Sequence, residues 1–452
     1  MSSANDRAVN IASAYGRSRV AASVATLLAG IGLGLSVTAE HKLFLASSYT
    51  SASGIATEIG RFAGIVGTYG IVLTLFLIAR IPWLEREVGM DRTLHWHRTL
   101  APWSMLLIGL HVVFILLGYS LLSGRNVFTE LWMQVTTLRW ILPAAVAFVL
   151  FIMASVSSYR KIKSKIKYET WWVIHLYTYI AVALAFAHQI TLGTAFATNK
   201  IAANAWLGLT LTSVGSILFF RWIVPIFRAL KYRLRVYSVV PEGPGVVSVW
   251  ITGTGLHRMK ARGGQFFMWR FLAGDSWWQA HPYSLSAPPD GKYLRITVKH
   301  IGDHSVSLAN LAVGTRVLAE GPYGAFTAAH REGNQVVLVA AGVGVTPIRA
   351  IIEELPRRAK IEVLYRARTE DDLVLKHELE ALGQRPNTSV HYLVGSRAQF
   401  PMDAEMLKQY TTELADSDIY ICGPAEFTNT VRNSALECGI PRNRIHDEAF
   451  AF

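Results

Sequence analysis

Four histidines stand inside long apolar stretches of the sequence, where an ionisable side chain is costly and therefore indicates function. His97 and His111 are 14 residues apart in one stretch, and His175 and His188 are 13 residues apart in another. At about 1.5 Å per residue of helix, the two members of each pair lie about 20 Å apart along the axis. A lone histidine of this kind is more often a hydrogen-bonding residue between helices, but two matching pairs favour a bound cofactor.

A single apolar stretch separates the two that carry these histidines, so both histidine-bearing helices are expected to run in the same direction. That places His97 level with His175 near one face of the membrane, and His111 level with His188 near the other face. Two imidazoles on facing helices are the axial ligands that a b-type haem needs. The sequence therefore predicts two haems, one above the other, with these four histidines as iron ligands.

The spacing of the histidines leaves two interpretations open. Fourteen residues at about 100° each bring His111 within about 40° of His97, whereas thirteen leave His188 about 140° from His175. Either the second helix is locally distorted, or the two haems contact it from different sides.

A second group of residues, in the C-terminal half, combines an aromatic ring with hydroxyls, as a flavin site requires. In the sequence HPYS at 281–284 the ring can pack on the isoalloxazine, and the hydroxyl can hydrogen-bond near its N5 atom. The sequence GDHS at 302–305 precedes a helical stretch whose first N–H groups can hold a pyrophosphate. The order of these segments predicts FAD. The residues expected to contact it are His281, Pro282, Tyr283, Ser284, Gly302 and Ser305.

A third group predicts a dinucleotide site. The apolar run 337–341 is followed by GVGVTP at 342–347, where glycines let a phosphate approach and a helix N-terminus favours its charge. A second apolar strand ends in ICGP at 421–424, which strengthens the assignment, although Cys422 could instead be a small buried hydrophobic residue. The residues expected to bind the nucleotide are Gly342, Gly344, Thr346, Pro347, Cys422, Gly423 and Pro424.

At the end of the next strand, arginines replace the acidic residue that would bond a ribose 2′-hydroxyl. Arg366 and Arg368 suit a 2′-phosphate instead, so NADPH is favoured as the electron donor, with NADH as the alternative. A different interpretation makes these arginines solvated partners of the acidic run at 370–372.

The composition indicates a membrane protein. Of 452 residues 52% are hydrophobic and 17% are charged, and the mean hydropathy is +0.30. An ordinary soluble chain carries about 25% charged residues. Residues 1–230 hold 19 Lys and Arg against 8 Asp and Glu, so most of the net charge of +13 lies in the apolar half. That distribution favours membrane topology over a nucleic-acid partner. Two cysteines exclude a disulfide scaffold and Cys-based iron–sulfur or structural zinc sites.

Six apolar stretches precede residue 225, each near the roughly 20 residues that a helix needs to cross a bilayer. Basic residues between them are concentrated on one side, so the positive-inside rule places both termini in the cytoplasm. A multi-pass protein of the cell membrane is therefore expected. The stretches lie at 20–39, 62–82, 100–122, 140–158, 171–192 and 203–224.

Beyond residue 230 the pattern changes to that of two soluble modules. Within 232–328, short alternating stretches separated by Gly and Pro predict the strands of an antiparallel β-barrel, at 233–240, 246–252, 265–271 and 293–300. From Gln335 onward, apolar strands alternate with Gly-rich turns and helices, which predicts a parallel α/β domain. The predicted fold is therefore multidomain: a six-helix transmembrane haem-binding bundle at 1–228, an antiparallel β-barrel flavin domain at 229–330, and a parallel α/β nucleotide-binding domain at 331–452.

Taken together, these motifs resemble the NADPH oxidase and ferric reductase superfamily, in the form of a bacterial member. The resemblance covers nearly the whole chain after the first predicted helix. It implies two haems at the four histidines, FAD at the HPYS and GDHS segments, and a ferredoxin-reductase-type nucleotide domain. The terminal acid-x-aromatic motif of the family falls on Glu448 and Phe450, which implies that Phe450 stacks on the flavin.

Two further positions take their meaning from this resemblance. Arg61, at the outer start of the second stretch, matches the arginine that the oxidases place beside the outer haem; an interfacial arginine is the alternative. Ile115 stands where the oxidases have another histidine near the site of oxygen reduction. This departure weakens the expectation of superoxide production and favours a ferric chelate or another acceptor.

The sequence thus predicts a transmembrane oxidoreductase. Electrons from cytosolic NAD(P)H would pass through FAD and two b-type haems to an extracytoplasmic acceptor, either a ferric chelate or oxygen, which would give superoxide. The expected partners are these small molecules and membrane lipid. Two alternatives are a haem-bearing membrane subunit that donates electrons to a partner protein, and a membrane-anchored flavin reductase without transmembrane transfer.

Overall fold

A computed structural model describes residues 30, 32, 51–88, 90–197, 199–274, 277–411 and 413–450. The chain divides into two compact units, with boundaries at Ile81/Pro82, Met90/Asp91 and Arg221/Trp222. Within the described residues, the first unit consists of apolar helices, here called the membrane unit. The second, here called the soluble unit, contains the β-sheets.

The described residues contain five helices that are long and apolar enough to cross a membrane. They overlap the second to sixth predicted stretches, whereas the first, 20–39, lies outside the described residues apart from Gly30 and Gly32. The count of six spans therefore stays a prediction. The helices up to residue 232 are α1 (Ala52–Ile78), α2 (Pro82–Glu87), α3 (Met90–Ser123), α4 (Val127–Thr137), α5 (Ile141–Ser158), α6 (Arg160–Lys163), α7 (Tyr168–Leu192), α8 (Thr194–Ala197), α9 (Lys200–Leu218) and α10 (Val224–Tyr232).

Helix α1 packs closely against α3 through glycines. An added Cβ on Gly64 would lie 2.6 Å from Nδ1 of His111, and one on Gly60 would lie 2.9 Å from the backbone nitrogen of Ile115. Small residues let two helix backbones approach in lipid, where van der Waals packing supports association. The glycines of α1 therefore determine how closely α1 approaches the His111 face of α3.

The first part of the soluble unit consists of two three-stranded antiparallel sheets, with strand orders β1-β2-β5 and β4-β3-β6. Alternate residues such as Ile251, Trp269 and Ile296 have no exposed surface and share one apolar core. The predicted antiparallel strands are present, and their closure into a barrel stays a prediction. The elements are β1 (Arg235–Gly243), β2 (Val246–Thr252), β3 (Phe266–Phe271), β4 (His281–Ser284), β5 (Tyr293–Lys299), α11 (Asp303–Ser307) and β6 (Val317–Tyr323).

The second part of the soluble unit is a five-stranded parallel sheet of order β11-β10-β7-β8-β9. All seven residues of β7 are buried, as expected of a central parallel strand covered on both faces. The elements are β7 (Gln335–Ala341), α12 (Val345–Glu354), β8 (Lys360–Ala367), α13 (Lys376–Gly383), β9 (Thr388–Val394), α14 (Ala404–Tyr410), β10 (Asp418–Pro424), α15 (Ala425–Glu437) and β11 (Ile445–Phe450).

A buried ionic network joins the antiparallel and parallel parts of the soluble unit. Arg295 on β5 is 3% exposed and forms an ion pair with Glu378 on α13 over 2.5 Å. Its guanidinium also donates to the hydroxyl of Ser286 at 3.0 Å and to the carbonyl of Ser286 at 2.8 Å. A buried charge with these partners avoids the large penalty of an unpaired one.

Candidate redox site

The structure brings the four membrane histidines together in the two predicted pairs. The ring centres of His97 on α3 and His175 on α7 are 6.2 Å apart, with their planes at 81°. Those of His111 and His188, on the same two helices, are 6.5 Å apart, with their planes at 35°. Here they are called the inner pair and the outer pair, after their predicted positions.

Both separations suit two imidazoles that bind one metal ion from opposite sides. Each nitrogen would lie about 2 Å from the metal, which puts the ring centres about 6 Å apart. The described residues contain no group of three or more His, Cys, Asp or Glu side chains that could hold a metal ion. A site limited to two protein ligands needs the remaining ligands from elsewhere, and a porphyrin supplies four.

The hydrogen bonding of the rings agrees with this fit. Nδ1 of His111 lies 2.8 Å from the carbonyl oxygen of Gly60, and because a carbonyl only accepts, Nδ1 carries the proton and Nε2 is left for a ligand. Nδ1 of His175 is buried and has no hydrogen-bond partner among the described residues, and His97 and His188 each interact with one backbone group, of Thr74 and of Ala185. Each imidazole thus keeps a nitrogen that the protein does not use, as a haem ligand must.

Helix α7 has no break between His175 and His188, which are 13 residues apart, whereas His97 and His111 are 14 apart. Helix α7 is α-helical from Tyr168 to Leu192, yet both of its histidines face a partner on α3. The helix geometry puts His175 and His188 about 140° apart around the axis. Of the two interpretations left open by the sequence, the structure agrees with the one in which the pairs lie on different sides of α7.

Arg61 lies on α1, one residue beyond Gly60, and pairs with Glu58. The guanidinium and the carboxylate are 2.6 Å apart, and Glu58 is 3% exposed. The second carboxylate oxygen of Glu58 is buried without a hydrogen-bond partner in the described part of the chain. Sequence reasoning missed Glu58, although an acid three residues before an arginine in an apolar stretch is a helical pairing signal.

The predicted flavin segment forms strand β4, which pairs with β3 so that Tyr283 lies opposite Phe267. The ring of His281 stacks on His304 at 3.7 Å and 14°, and the plane of Tyr283 is within 6° of that of His304. Burial lowers the pKa of His281, and burial and then repulsion from His281 lower the pKa of His304 to about 4. These rings are therefore uncharged at neutral pH and suit a flat conjugated ring.

The remaining predicted flavin residues are placed less directly. Ser284 is buried at the end of β4, and Pro282 is exposed. The hydroxyl of Ser305 accepts from the backbone N–H groups of Ile301 and Gly302, at 2.8 and 3.0 Å. It also donates to the Gly302 carbonyl at 2.7 Å, so this hydroxyl is engaged in its own turn.

The predicted nucleotide residues gather at the carboxyl ends of the parallel strands. A Cβ on Gly344 would lie 2.1 Å from the carbonyl oxygen of Cys422, so only glycine permits this approach of the turn after β7 to β10. Gly423 and Pro424 end β10, while Thr346 and Pro347 are buried in the first turn of α12. This edge is where ligands bind in open parallel sheets.

Cys422 has no exposed surface and lies opposite Glu448 in the register of β10 and β11. Burial, and then the charge of Glu448, raise the pKa of the Cys422 thiol, so it is protonated at neutral pH. Phe450 ends β11 opposite Pro424. The side chain of Phe450 lies outside what the structure describes, so its stacking on the flavin stays a prediction.

The arginines at the end of β8 lie in a positive cluster. Burial, and then the charges of Arg397 and Arg368, lower the pKa of Arg366. The Nε atom of Arg366 is buried with no hydrogen-bond partner among residues that the structure describes. The acidic run nearby pairs with lysines instead: Asp372 with Lys299 at 3.1 Å, and Glu370 with Lys376 at 3.0 Å. The cluster is thus available to an anion.

Comparison with known proteins agrees with this division of the chain. The family model described as the ferric reductase like transmembrane component matches residues 63–186, and that of the oxidoreductase NAD-binding domain matches residues 338–433. These matches place a ferric-reductase-like transmembrane component before an oxidoreductase NAD-binding domain in the chain. They confirm the superfamily indicated by the sequence, in which a ferric-reductase-like membrane domain is joined to an NAD-binding oxidoreductase domain.

Individual relatives match only part of the chain. A flavohemoprotein of Chromobacterium violaceum is 32% identical over 203 residues, which are 40% of this chain and 50% of that protein. The plasma membrane-associated coenzyme Q6 reductase PGA3 of Saccharomyces cerevisiae is 29% identical over 190 residues, 37% of this chain and 60% of that protein. The flavohem-like FAD/NAD-binding domain of a nitric oxide dioxygenase from Vibrio cholerae is 25% identical, with a TM-score of 0.42, over 48% of this chain and 98% of that one. The chain spans about half the length of the first curated relatives it matches.

Proposed function

We propose that this protein is a transmembrane oxidoreductase that moves electrons from cytosolic NAD(P)H to an acceptor on the other side of the membrane. The observation that carries the proposal is the pair of histidine–histidine distances, 6.2 and 6.5 Å, within apolar helices. When bound, FAD would take a hydride from NAD(P)H and release single electrons, which two b-type haems would relay.

The membrane residues would act by holding the haems at two fixed levels. His97 and His175 would hold the inner haem, and His111 and His188 would hold the outer haem. The bond from His111 to the Gly60 carbonyl sets the tautomer of that ring and makes its Nε2 a better donor to iron. Fixed ligand positions hold each iron at a fixed depth in the membrane.

The soluble residues would bind and orient the two nucleotide cofactors. The uncharged rings of His281, His304 and Tyr283 offer flat apolar surfaces to a flavin. Gly344 lets the turn after β7 approach β10 at the edge of the sheet where the nucleotide would bind. Arg366 and Arg368 would meet a 2′-phosphate, which supports NADPH as the donor.

The acceptor would receive electrons at the outer pair, on the extracytoplasmic side of the membrane. Ile115 lies against Gly60, and no imidazole stands at that position. Arg61 is already paired with Glu58, so the local charge is balanced. Both observations favour transfer of electrons to a ferric chelate or another acceptor over the reduction of oxygen to superoxide.

A haem assay and a ligand variant test this proposal together. The purified full chain should show two b-type haems by the pyridine haemochrome method, with a low-spin spectrum. His111→Leu should abolish reduction of an external acceptor while NADPH still reduces the flavin. Transmembrane transfer that survives in His111→Leu would contradict the relay.

The second candidate is a membrane-anchored flavin reductase without transmembrane transfer. The 29% identity to a plasma membrane-associated coenzyme Q6 reductase favours it specifically. A chain without Soret absorbance that still reduces soluble acceptors would establish this candidate. A haem-loaded chain that reduces no soluble acceptor would instead indicate a membrane subunit serving a partner protein.

A further inference from the structure

The ring of His175 is stacked against a tryptophan from its own helix. Trp171 precedes His175 by four residues, so both side chains lie on one face of α7. Their ring centres are 5.2 Å apart, and the planes are within 23° of parallel. The orientation of the His175 imidazole is therefore tied to that of the Trp171 indole.

Trp171 is itself held by two other elements. Its indole N–H donates to the hydroxyl of Ser158, the last residue of α5, at 3.1 Å. The ammonium nitrogen of Lys163, the last residue of α6, lies 3.7 Å from the centre of the indole ring. A cation above a tryptophan face is an attractive contact that is stronger where water is excluded.

We propose that Trp171 and Lys163 are positioning residues of the inner haem site, which rests on the proposed function of the inner pair. Trp171 sets the plane of the His175 imidazole, and so maintains the 81° angle to His97. Lys163 fixes Trp171 and places a positive charge beside the site. Neither residue binds iron; both act through His175, as outer partners of metal ligands commonly do.

Under this proposal, the histidines of the two haem sites are oriented by different groups. At the outer pair the planes are 35° apart, and His111 is fixed by the backbone carbonyl of Gly60 instead of by a stacked ring. The angle between the two ligand planes governs the splitting of the iron d orbitals, and hence the g values of low-spin ferric haem. A nearby cation stabilises the reduced iron and raises its potential.

The experiment uses the full chain with its haems, by electron paramagnetic resonance and potentiometric titration. The wild type should give two distinct low-spin signals, with greater anisotropy for the inner haem. Trp171→Leu should shift the g values of the inner signal and leave the outer one unchanged. Trp172→Leu is the matched control, because Trp172 is 37% exposed on the adjacent position and should shift neither.

Lys163→Gln tests the charge. Its inner haem should have a lower midpoint potential than the wild type, while Lys165→Gln, at an exposed position of the same basic segment, should not change it. Trp171→Phe keeps a stacked ring and loses the indole bond to Ser158, so it should shift the inner signal less than Trp171→Leu. This conservative variant serves if Trp171→Leu does not fold.

The outcomes separate the two proposals. Two haems in the wild type with an unchanged inner signal in the Trp171 variants would overturn this inference alone. Equal shifts of both signals would also overturn it, because a general loosening of the helices would then be the cause. A wild-type chain without haem would overturn the proposed function, and this inference with it.

Discussion

A buried arginine of the soluble unit and a buried histidine of the membrane unit differ in how their polar atoms are satisfied. Arg295 of the soluble unit is bonded to Ser286 and paired with Glu378. In the membrane unit, His175 leaves Nδ1 buried without a partner among the described residues. Because lipid offers no hydrogen bonds, an unused polar atom there is costly unless something binds it. The Arg295 network is thus structural, whereas the membrane histidines are candidates for holding a bound group.

The same contrast holds within the soluble unit. Arg366, at the ligand edge of the parallel sheet, leaves Nε buried and unbonded within the described ranges, while Arg295 lies in a saturated network. Two guanidinium groups of one unit, that of Arg295 and that of Arg366, therefore differ in the same way. Three variants test whether this distinction between structural and ligand-binding groups holds.

The largest effect is expected from Gly64→Val. The first side-chain carbon would lie 2.6 Å from Nδ1 of His111, so the imidazole must leave its place and its bond to Gly60. The purified variant should hold one haem instead of two, measured by pyridine haemochrome. Gly109→Val is the control, because a Cβ there meets nothing within 4 Å. Equal haem content in the two variants would show that α1 does not support the outer site.

A smaller but clear effect is expected from Glu378→Ala. The change leaves the buried guanidinium of Arg295 without its charge partner, and breaking such a pair typically costs about 3–5 kcal/mol. Because the Glu378 side chain is 31% exposed, we expect the lower end of that range. Thermal unfolding followed by circular dichroism should show an earlier transition of the soluble unit. Glu380→Ala, at a side chain 47% exposed on the same helix, should unfold like the wild type.

The smallest effect is expected from Arg366→Ala. Loss of one charged contact to a 2′-phosphate of about 1.4 kcal/mol corresponds to tenfold weaker binding. The KM for NADPH should therefore rise about tenfold, while the KM for NADH stays unchanged, in a soluble-acceptor assay. Arg357→Ala, at an exposed position before the amino end of β8, should alter neither KM. A parallel rise for both nucleotides would assign Arg366 a structural role instead.

Regular local patterns predicted much of the fold. The stretch 246–252 was expected as a strand from its alternation and is β2 at those same bounds. The expected strand 337–341 is the buried centre of β7. Such patterns are readable because a side chain's face follows from its position along a strand. Ser305 shows the limit: its type suggested a ligand contact, yet its hydroxyl is used within its own turn.

Sequence reasoning missed the contacts that depend on which helix packs against which. Glu58 and Gly64 look ordinary in an apolar stretch until α1 is packed against α3. In the sequence Trp171 is one of 13 tryptophans, and only the structure shows that its ring stacks on His175. These contacts are set by the rotation of helices about their axes and by loops that bring distant segments together. Neither is encoded in the spacing of residues along one helix.

By itself, the sequence determined the spacing of the histidines along each helix and the order of the motifs, because rise per residue and chain order are properties of a single helix or strand. The tertiary structure decided that the histidines meet in pairs, and which backbone or aromatic group holds each ring. Those outcomes depend on contacts between segments far apart in the chain. Their free energy comes from close packing in lipid, which only the assembled helices provide.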